Sequence, residues 1–224
     1  MMVNFQQARV NMVNSQLRTN KVTHAGVLDA FETVAREEFV PEASRSVAYV
    51  DEDLAVGQGR YLMEPMVLAR MLQIIEPQAH ETALVVGAAT GYAATVLSKL
   101  VNAVIALESE ESLVTGMNET FSQLGVENAV AVAGALNEGY AKQAAYDLIV
   151  LGGAVAEISP QLFDQLAEKG RLIAVVQDNK ARNKQDLGHV TVFEKHAGKV
   201  SSRIVFDANT PLLPGFEPKA VFSF

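Results

Sequence analysis

The sequence predicts a doubly wound α/β domain with an N-terminal helical extension and a C-terminal antiparallel hairpin. Two observations lead to this prediction. From residue 81 onward, short β-rich apolar runs alternate with helical stretches, which is typical of βαβ units around a parallel sheet. Before that point, apolar residues recur at helical spacing. We therefore assign residues 1–80 to the extension and a loop, and residues 81–224 to the sheet, within a single domain.

The extension is predicted to contain three helices and one glycine-containing loop. The second helix begins at Thr23 as its N-cap and stops before Pro41, and the third places Pro65 in its first turn and runs to about Ile75. The segment 44–63 between them follows no sustained period, so we expect a loop there. The first helix is predicted from apolar residues at helical spacing, namely Phe5, Ala8, Met12, Val13 and Leu17.

The sheet is predicted from five apolar runs and a terminal hairpin. The runs are "ALVV", "AVIAL", "AVAV", "DLIVL" and "RLIAVV". Between them we expect helices over Ala93–Leu100, Glu110–Leu124 and Ser159–Glu168. The run "HVTVFEKHAGKVSSRIVF" alternates apolar and polar residues on both sides of a glycine turn, which predicts an antiparallel hairpin added to the sheet.

Composition excludes several classes of function. The chain of 224 residues has no cysteine, so disulfides, thiolate metal sites and cysteine nucleophiles are excluded. Its net charge of -8 argues against a nucleic-acid partner, because phosphate binding needs clustered Lys and Arg. The basic stretch "NKARNK" at 179–184 is flanked by Asp178 and Asp186, and we interpret it as a solvated loop.

The sequence also argues against a membrane or metal protein. No apolar run is long enough to cross a bilayer, and the first residues lack the order of a secretory signal, so we expect a cytoplasmic protein. The four histidines lie in different predicted elements without metal-ligand spacing, and we expect no metal site: His24, His80, His189 and His196.

The stretch "ALVVGAATGYAATVL" at 83–97 is the strongest candidate for a ligand site. A strand, a glycine turn and a helix direct free backbone N–H groups toward the carboxyl edge of a sheet. Glu108 ends the next strand, at the distance where a carboxylate meets the two ribose hydroxyls of a nucleoside. The loop lacks the three glycines of a dinucleotide fingerprint, which disfavours a nicotinamide cofactor. The alternative is a tight connection without a ligand, with Glu108 facing water.

These residues, in this order, resemble the protein-L-isoaspartate O-methyltransferases, which use S-adenosylmethionine to esterify isoaspartyl carboxylates in damaged proteins. The resemblance extends from the N-terminal helix to about residue 180, and it implies a class I, Rossmann-like methyltransferase fold. It assigns Gly87, Gly91 and Glu108 to the cofactor. The matching stretches are "VAREEFVPE", "VGQGRYLMEPMVLARML", "LVVGAATGYAATVLSKL", "IALESE", "YDLIVLGGAVAEISPQL" and "LAEKGRLIAVV".

Three departures fall on the cofactor positions that the resemblance implies. Ala89 stands where the family has a glycine, and a positive φ there costs a non-glycine residue roughly 1–2 kcal/mol. Val85 and Ala135 stand where the family has acidic residues. Each lost hydrogen bond to the cofactor costs on the order of 1–3 kcal/mol.

The predicted substrate loop, which begins at Gly57, Gln58 and Gly59, departs further. The family has a glutamine or phenylalanine followed by Thr-Ile-Ser in this loop, and Met63 stands at the serine position. A thioether cannot donate the hydrogen bond that the resemblance assigns to that serine and the substrate carboxylate. Tyr61 offers the alternative hydroxyl, and packing is the other explanation for it.

Three hypotheses about function follow. The first is an S-adenosylmethionine-dependent protein carboxyl methyltransferase of the isoaspartyl type, acting on isoaspartyl proteins or peptides. The second is a catalytically inactive member of that family that acts by binding a protein. The third is a nicotinamide-binding oxidoreductase. The sequence leaves open a homo-oligomer, and it leaves open whether the tail at 206–224 covers the pocket or contacts another subunit.

Overall fold

A computed structural model describes residues 4–177 and 188–218, so the predicted basic loop at 179–184 lies outside the described residues. Its main feature is a seven-stranded sheet. The strands are β3 (Thr82–Val86), β4 (Ala103–Glu108), β5 (Ala129–Ala133), β6 (Tyr146–Val155), β7 (Leu166–Val176), β8 (Gly188–His196) and β9 (Lys199–Ala208). Their order in the sheet is β5-β4-β3-β6-β7-β8-β9, in which β3 to β7 are parallel, and β8 and β9 are antiparallel. This confirms the doubly wound sheet with a C-terminal hairpin.

The helices lie close to their predicted positions, with three corrections. The second helix, predicted to stop just before Pro41, ends at Thr33 because Val34 takes an extended backbone conformation, and a separate 3₁₀ helix follows over Arg36–Phe39. The second helix is capped by His24 rather than Thr23, and the His24 ring Nδ1 accepts the Val27 N–H at 3.2 Å. The predicted helix to Glu168 ends much earlier, because Leu166 already pairs with Tyr146 of the sheet. The α-helices are α1 (Phe5–Met12), α2 (Ala25–Thr33), α3 (Pro65–Ile75), α4 (Tyr92–Ser98), α5 (Glu111–Gln123) and α6 (Pro160–Asp164).

The predicted loop at 44–63 is wrong in part, because it contains a small antiparallel hairpin. Strands β1 (Leu54–Gly57) and β2 (Arg60–Leu62) pair with each other and form a separate two-stranded sheet. Their connection takes positive φ at three successive residues, Gly57, Gln58 and Gly59. The hairpin therefore displays an exposed turn in front of the strand that carries Arg60.

The sheet order places one crevice at its centre. The chain adds strands on one side of β3 and then returns to continue on the other side with β6. In open α/β sheets the point where the order reverses, at the carboxyl ends of the strands, is the usual ligand site. The ends of β3, β4 and β6 therefore define the region where function is expected. No helix in the described ranges is long and apolar enough to cross a membrane.

Candidate functional site

The glycine junction after β3 has the backbone shape that the sequence predicts. Gly87, Ala89 and Gly91 take φ values of 72°, 53° and 98°, and Gly91 is the N-cap of α4. A Cβ on Gly91 would lie 2.6 Å from Met117 Cγ, so a glycine is required there by space as well as by φ. Ala89 does adopt the positive φ that disfavours an alanine.

The N–H groups of the junction are less available than predicted. Gly87 and Ala88 both donate to the Leu107 carbonyl, at 3.0 and 3.1 Å, and Gly91 donates to the Ala88 carbonyl at 2.8 Å. The Ala89 N–H donates to Glu108 Oε2 at 3.0 Å. The prediction that these N–H groups are free for a ligand is therefore wrong for these four residues. Three of them bind the junction to the adjacent strand β4.

Glu108 lies at the predicted end of β4, and it does not face water. Its side chain is fully buried and forms an ion pair with Arg60, whose side chain is 3% exposed. The Arg60 Nε and Nη2 atoms lie 3.0 and 2.9 Å from Glu108 Oε1. The Ser109 N–H donates to the same oxygen at 2.7 Å. Both carboxylate oxygens of the predicted cofactor residue therefore bind donors from the protein itself.

Arg60 is a site residue that the sequence-based prediction missed. Its Nη2 donates to Ser109 Oγ at 2.7 Å and its Nη1 to the Gln58 carbonyl at 3.3 Å, so all three guanidinium nitrogens are engaged. One feature of the sequence could have indicated Arg60 as the partner of Glu108. A buried carboxylate almost always has a charged or multiple polar partners, and Arg60 is a cation in the loop that the family resemblance places over the same crevice.

The end of β6 and the start of the C-terminal tail form the opposite wall. A Cβ on Gly152 would overlap the Gly87 carbonyl oxygen, so β6 approaches the junction as closely as a glycine permits. Leu213 packs over Gly87 and is 4% exposed. Its N–H donates to the Ala154 carbonyl at 2.8 Å. The sequence left open whether the tail covers the pocket or contacts another subunit. In the structure, the described part of the tail covers this edge of the sheet.

Two cavities between these walls, both lined by residues that the structure describes, are very small. The cavity between the loop, the junction and the tail has a volume of about 10 Å³ and is lined by residues that include Gly59, Tyr61 and Gly87. A second cavity of about 20 Å³ brings Met63 and Ala89 beside Gly87. Each has room for roughly one water molecule, whereas small-molecule sites usually offer about 300–1,000 Å³.

The predicted substrate residues occupy different environments. Tyr61 is 38% exposed at the rim, and the turn Gly57–Gly59 is exposed. Met63 is 5% exposed, and its carbonyl accepts the Arg36 Nη2–H at 2.9 Å. Arg36 is fully buried and its Nε donates to the Ala48 carbonyl at 2.8 Å, so it fixes the backbone at the position of the family serine.

Two predicted cofactor positions lie away from the residues around the glycine junction and Glu108. Ala135 follows β5 and is exposed, and it lines neither of the small cavities. Val85 is fully buried within β3, between Ala106 and Val150 of the adjacent strands.

An acidic cluster adjoins the loop. Burial, together with the charges of Asp51, Asp53 and Glu52, raises the pKa of Glu64 to about 7. Asp53 Oδ1 accepts the Glu64 N–H at 2.9 Å, and burial raises the pKa of Asp53 as well. Within 4–177 and 188–218, no group of three or more His, Asp or Glu side chains is arranged to hold a metal ion.

A larger cavity, of about 260 Å³, lies between residues 38–41 and helix α5. Its lining includes Thr90, whose hydroxyl donates to the Phe39 carbonyl at 2.6 Å. None of the predicted cofactor or substrate residues lines it. This larger cavity is thus separate from the Glu108 carboxylate.

Comparisons with a family model and with known proteins indicate the same family. The family model described as protein-L-isoaspartate(D-aspartate) O-methyltransferase matches residues 8–208, well beyond the residue near 180 where the sequence resemblance was expected to end. A protein-L-isoaspartate O-methyltransferase 1 of Syntrophobacter fumaroxidans is 35% identical over 181 residues, which cover 81% of this chain and 85% of the relative. The enzyme of Koribacter versatilis is 32% identical over 94% of this chain and 93% of its own length.

Solved structures show the same fold. A protein-L-isoaspartate O-methyltransferase superposes with a TM-score of 0.79 at 22% identity, over 92% of this chain and 66% of its own. A β-aspartate methyltransferase from Plasmodium falciparum, solved in complex with S-adenosyl-L-homocysteine, superposes with a TM-score of 0.77 at 18% identity, over 97% of this chain and 100% of its own.

Proposed function

Because the chain belongs to the protein-L-isoaspartate(D-aspartate) O-methyltransferase family, we propose that it is an S-adenosylmethionine-dependent methyltransferase that esterifies isoaspartyl carboxylates in proteins or peptides. The observation that carries this proposal is the family match over residues 8–208. The positions of Gly87, Gly91 and Glu108 at the central crevice support it. The family match gives no support to a nicotinamide-binding oxidoreductase.

The residues at the family's cofactor position, as they are arranged, do not fit S-adenosylmethionine. Arg60 and two backbone N–H groups engage both oxygens of Glu108, and the adjoining cavities hold about 10 and 20 Å³. A nucleoside needs the carboxylate and a far larger volume. We therefore derive no step through the cofactor, and the proposal concerns what the chain's own residues do.

The chain's contribution to the reaction would be alignment rather than acid–base chemistry. A carboxylate substrate is already ionised at neutral pH, so no base is needed to activate it, and correct positioning lowers the barrier. Met63 cannot donate a hydrogen bond, and its side chain is nearly buried. Tyr61 has an exposed side chain at the rim, so we assign the substrate contact to its hydroxyl and to the turn at 57–59.

A methyl-transfer assay tests the proposed function. The protein, in excess, is incubated with methyl-labelled S-adenosylmethionine and an isoaspartyl peptide, and a peptide with a normal aspartyl residue is the matched control. We expect a base-labile label on the isoaspartyl peptide alone. Labelling of neither peptide over an extended incubation contradicts the proposal. A Tyr61→Phe variant is expected to raise KM with little change in kcat, because it removes only a substrate hydrogen bond.

A second candidate is a family member that binds a protein without catalysis. The observation that favours it is the ion pair between Arg60 and Glu108 at the cofactor position. This candidate predicts no methyl transfer and no binding of S-adenosylhomocysteine by calorimetry at millimolar ligand. Methyl transfer to any protein carboxylate would remove it.

A further inference from the structure

The contacts of Arg60 with Glu108 have the form of a bound ligand. A ribose presents two hydroxyl donors to the carboxylate at this strand end. Arg60 presents two N–H donors there, Nε at 3.0 Å and Nη2 at 2.9 Å from Glu108 Oε1. Both side chains are excluded from solvent, with 3% and 0% exposure. The guanidinium thus satisfies the same carboxylate that a nucleoside would use.

We infer that Arg60 competes with the cofactor for Glu108, so that S-adenosylmethionine binds only when Arg60 leaves the carboxylate. This inference rests on the proposed function, because it concerns the same cofactor. It goes beyond that function by naming the residue that controls access. Glu108 cannot bind the nucleoside while Arg60 is paired with it, because both carboxylate oxygens already accept hydrogen bonds from donors of the protein.

Glu108 is able to exchange partners without losing all of its hydrogen bonds. When Arg60 leaves, the Ala89 N–H remains on Oε2 and the Ser109 N–H remains on Oε1. Two donors then hold the carboxylate in its present orientation, and its remaining lone pairs are able to accept two more hydrogen bonds from a ribose. The carboxylate is therefore already oriented by the backbone, independently of Arg60.

Arg60 is also placed where it is able to move. It begins strand β2 directly after the exposed turn at 57–59, and β1 and β2 pair only with each other in the described sheets. Apart from Glu108, its guanidinium contacts only Ser109 Oγ and the Gln58 carbonyl among the described hydrogen bonds. The displaced cation would reach solvent through the same exposed turn.

The competition predicts a weakened apparent affinity. If only a fraction of molecules has a free Glu108, the observed dissociation constant is the intrinsic one divided by that fraction. A fraction of one-tenth or less, which is expected for a buried charge-assisted pair, weakens binding by about tenfold or more. Removal of the guanidinium should therefore strengthen the apparent affinity for the cofactor by about the same factor.

Calorimetric titration with S-adenosylhomocysteine tests the inference on three full-length proteins. These are the wild type, Arg60→Gln and Arg171→Gln. Arg171 is the matched control, because it forms another, partly buried ion pair with Glu81 at the opposite end of the sheet from the junction. We expect Arg60→Gln to bind about tenfold or more tightly than the other two. Circular dichroism before each titration establishes that the variant is folded.

The outcomes separate this inference from the proposed function. Equal affinities of wild type and Arg60→Gln, within twofold, overturn the competition but leave the proposed methyltransferase intact. Binding by none of the three proteins overturns the proposed function and the inference together. If Arg60→Gln does not fold, Ser109→Ala replaces it, because it removes the hydroxyl that accepts the Arg60 Nη2–H at 2.7 Å and that lies 3.4 Å from Glu108 Oε1, and it keeps the Ser109 N–H on the carboxylate. That variant is expected to bind several-fold more tightly, and unchanged affinity contradicts the inference.

Discussion

Two Arg–Glu pairs lie at opposite ends of the sheet, one fully buried and one partly buried, and they differ in what else they bind. Arg171 pairs with Glu81, which immediately precedes β3. The Arg171 guanidinium also donates to the carbonyls of Ile75 and Glu76 at the end of α3, at 2.6–3.0 Å. Arg60 pairs with Glu108 at the carboxyl end of β4 and binds no helix terminus in the described contacts.

The comparison separates a scaffold contact from a site contact of the same chemistry. Arg171 satisfies carbonyl groups that every helix leaves without partners at its C-terminus, so it has a structural role in any state of the protein. Glu108 stands where parallel α/β sheets bind ligands, and its backbone donors persist without Arg60. The two pairs have the same charges, and they differ in burial, with side-chain exposures of 3% and 0% for Arg60 and Glu108 against 20% and 6% for Arg171 and Glu81, and in their position along the strands.

The largest effect is expected for Arg171→Gln. This change leaves Glu81 buried without its cation and removes three hydrogen bonds to the end of α3. The free energy of unfolding should fall by about 3–5 kcal/mol, which corresponds to a fall in Tm of roughly 6–20 °C. Thermal and urea denaturation measure the loss. A larger stabilisation of Arg171→Gln than of the wild type by the same concentration of S-adenosylhomocysteine would contradict a purely structural role.

A smaller loss is expected for Arg60→Gln, roughly 1–3 kcal/mol, because two backbone N–H groups remain on Glu108. Excess S-adenosylhomocysteine should restore this loss, since a ligand at a hundred times its dissociation constant stabilises by about 2.7 kcal/mol. Melting curves with and without the ligand measure the difference. If the free energy of unfolding fell as much as in Arg171→Gln and the ligand did not change it, both ion pairs would have a purely structural role.

Gly152→Ala tests the close approach of β6 at the site end of the sheet. Its new Cβ would overlap the Gly87 carbonyl oxygen, so the backbone must shift, at a cost of about 1–3 kcal/mol. Gly116→Ala in α5 is the matched control, because no atom lies within 4 Å of its Cβ position and the change should stabilise by about 0.5–1 kcal/mol. Equal effects of the two substitutions on Tm would show that the junction tolerates widening.

The smallest effect is expected for Glu64→Gln, and it depends on pH. The folded protein raises the pKa of Glu64 from 4.5 to about 7, so the folded state holds a proton more tightly than the unfolded state. This stabilising contribution is complete below about pH 4.5 and is lost as the pH rises through 7. Because the side chain is only half-buried, we expect Glu64→Gln to melt about 1–3 °C above the wild type at pH 8.5.

The matched measurement at pH 5 provides the control for Glu64. There the wild-type carboxyl is largely protonated, so Glu64→Gln should melt at nearly the same temperature as the wild type. A difference in Tm that is independent of pH would assign the effect to packing rather than to charge.

The sequence predicts local patterns of this molecule well and long-range pairing poorly. The alternation of apolar runs predicted the parallel strands, and the glycine turn at Ala197 and Gly198 predicted the hairpin of β8 and β9. The end of α6 was missed because the pairing of Leu166 with Tyr146 is a tertiary contact. The β1–β2 hairpin was missed because its strands are short and its turn needs three successive positive φ values.

The candidate site shows the same limit. Glu108 was correctly placed at the end of a strand near the glycine junction, because strand order and length follow from local sequence. Its partner Arg60 lies 48 residues away in a segment without a regular period, and no local pattern links the two. The sequence therefore predicted the position of Glu108 beside the glycine junction, but it did not predict that the chain itself supplies the partner of this carboxylate.

The most direct measurement is a crystal structure of the full-length protein grown with excess S-adenosylhomocysteine. We expect the nucleoside to bind at the carboxyl ends of β3 and β4 with its ribose on Glu108, and the Arg60 guanidinium to have left the carboxylate. A bound nucleoside beside an intact Arg60–Glu108 ion pair would contradict the proposed competition between Arg60 and the cofactor.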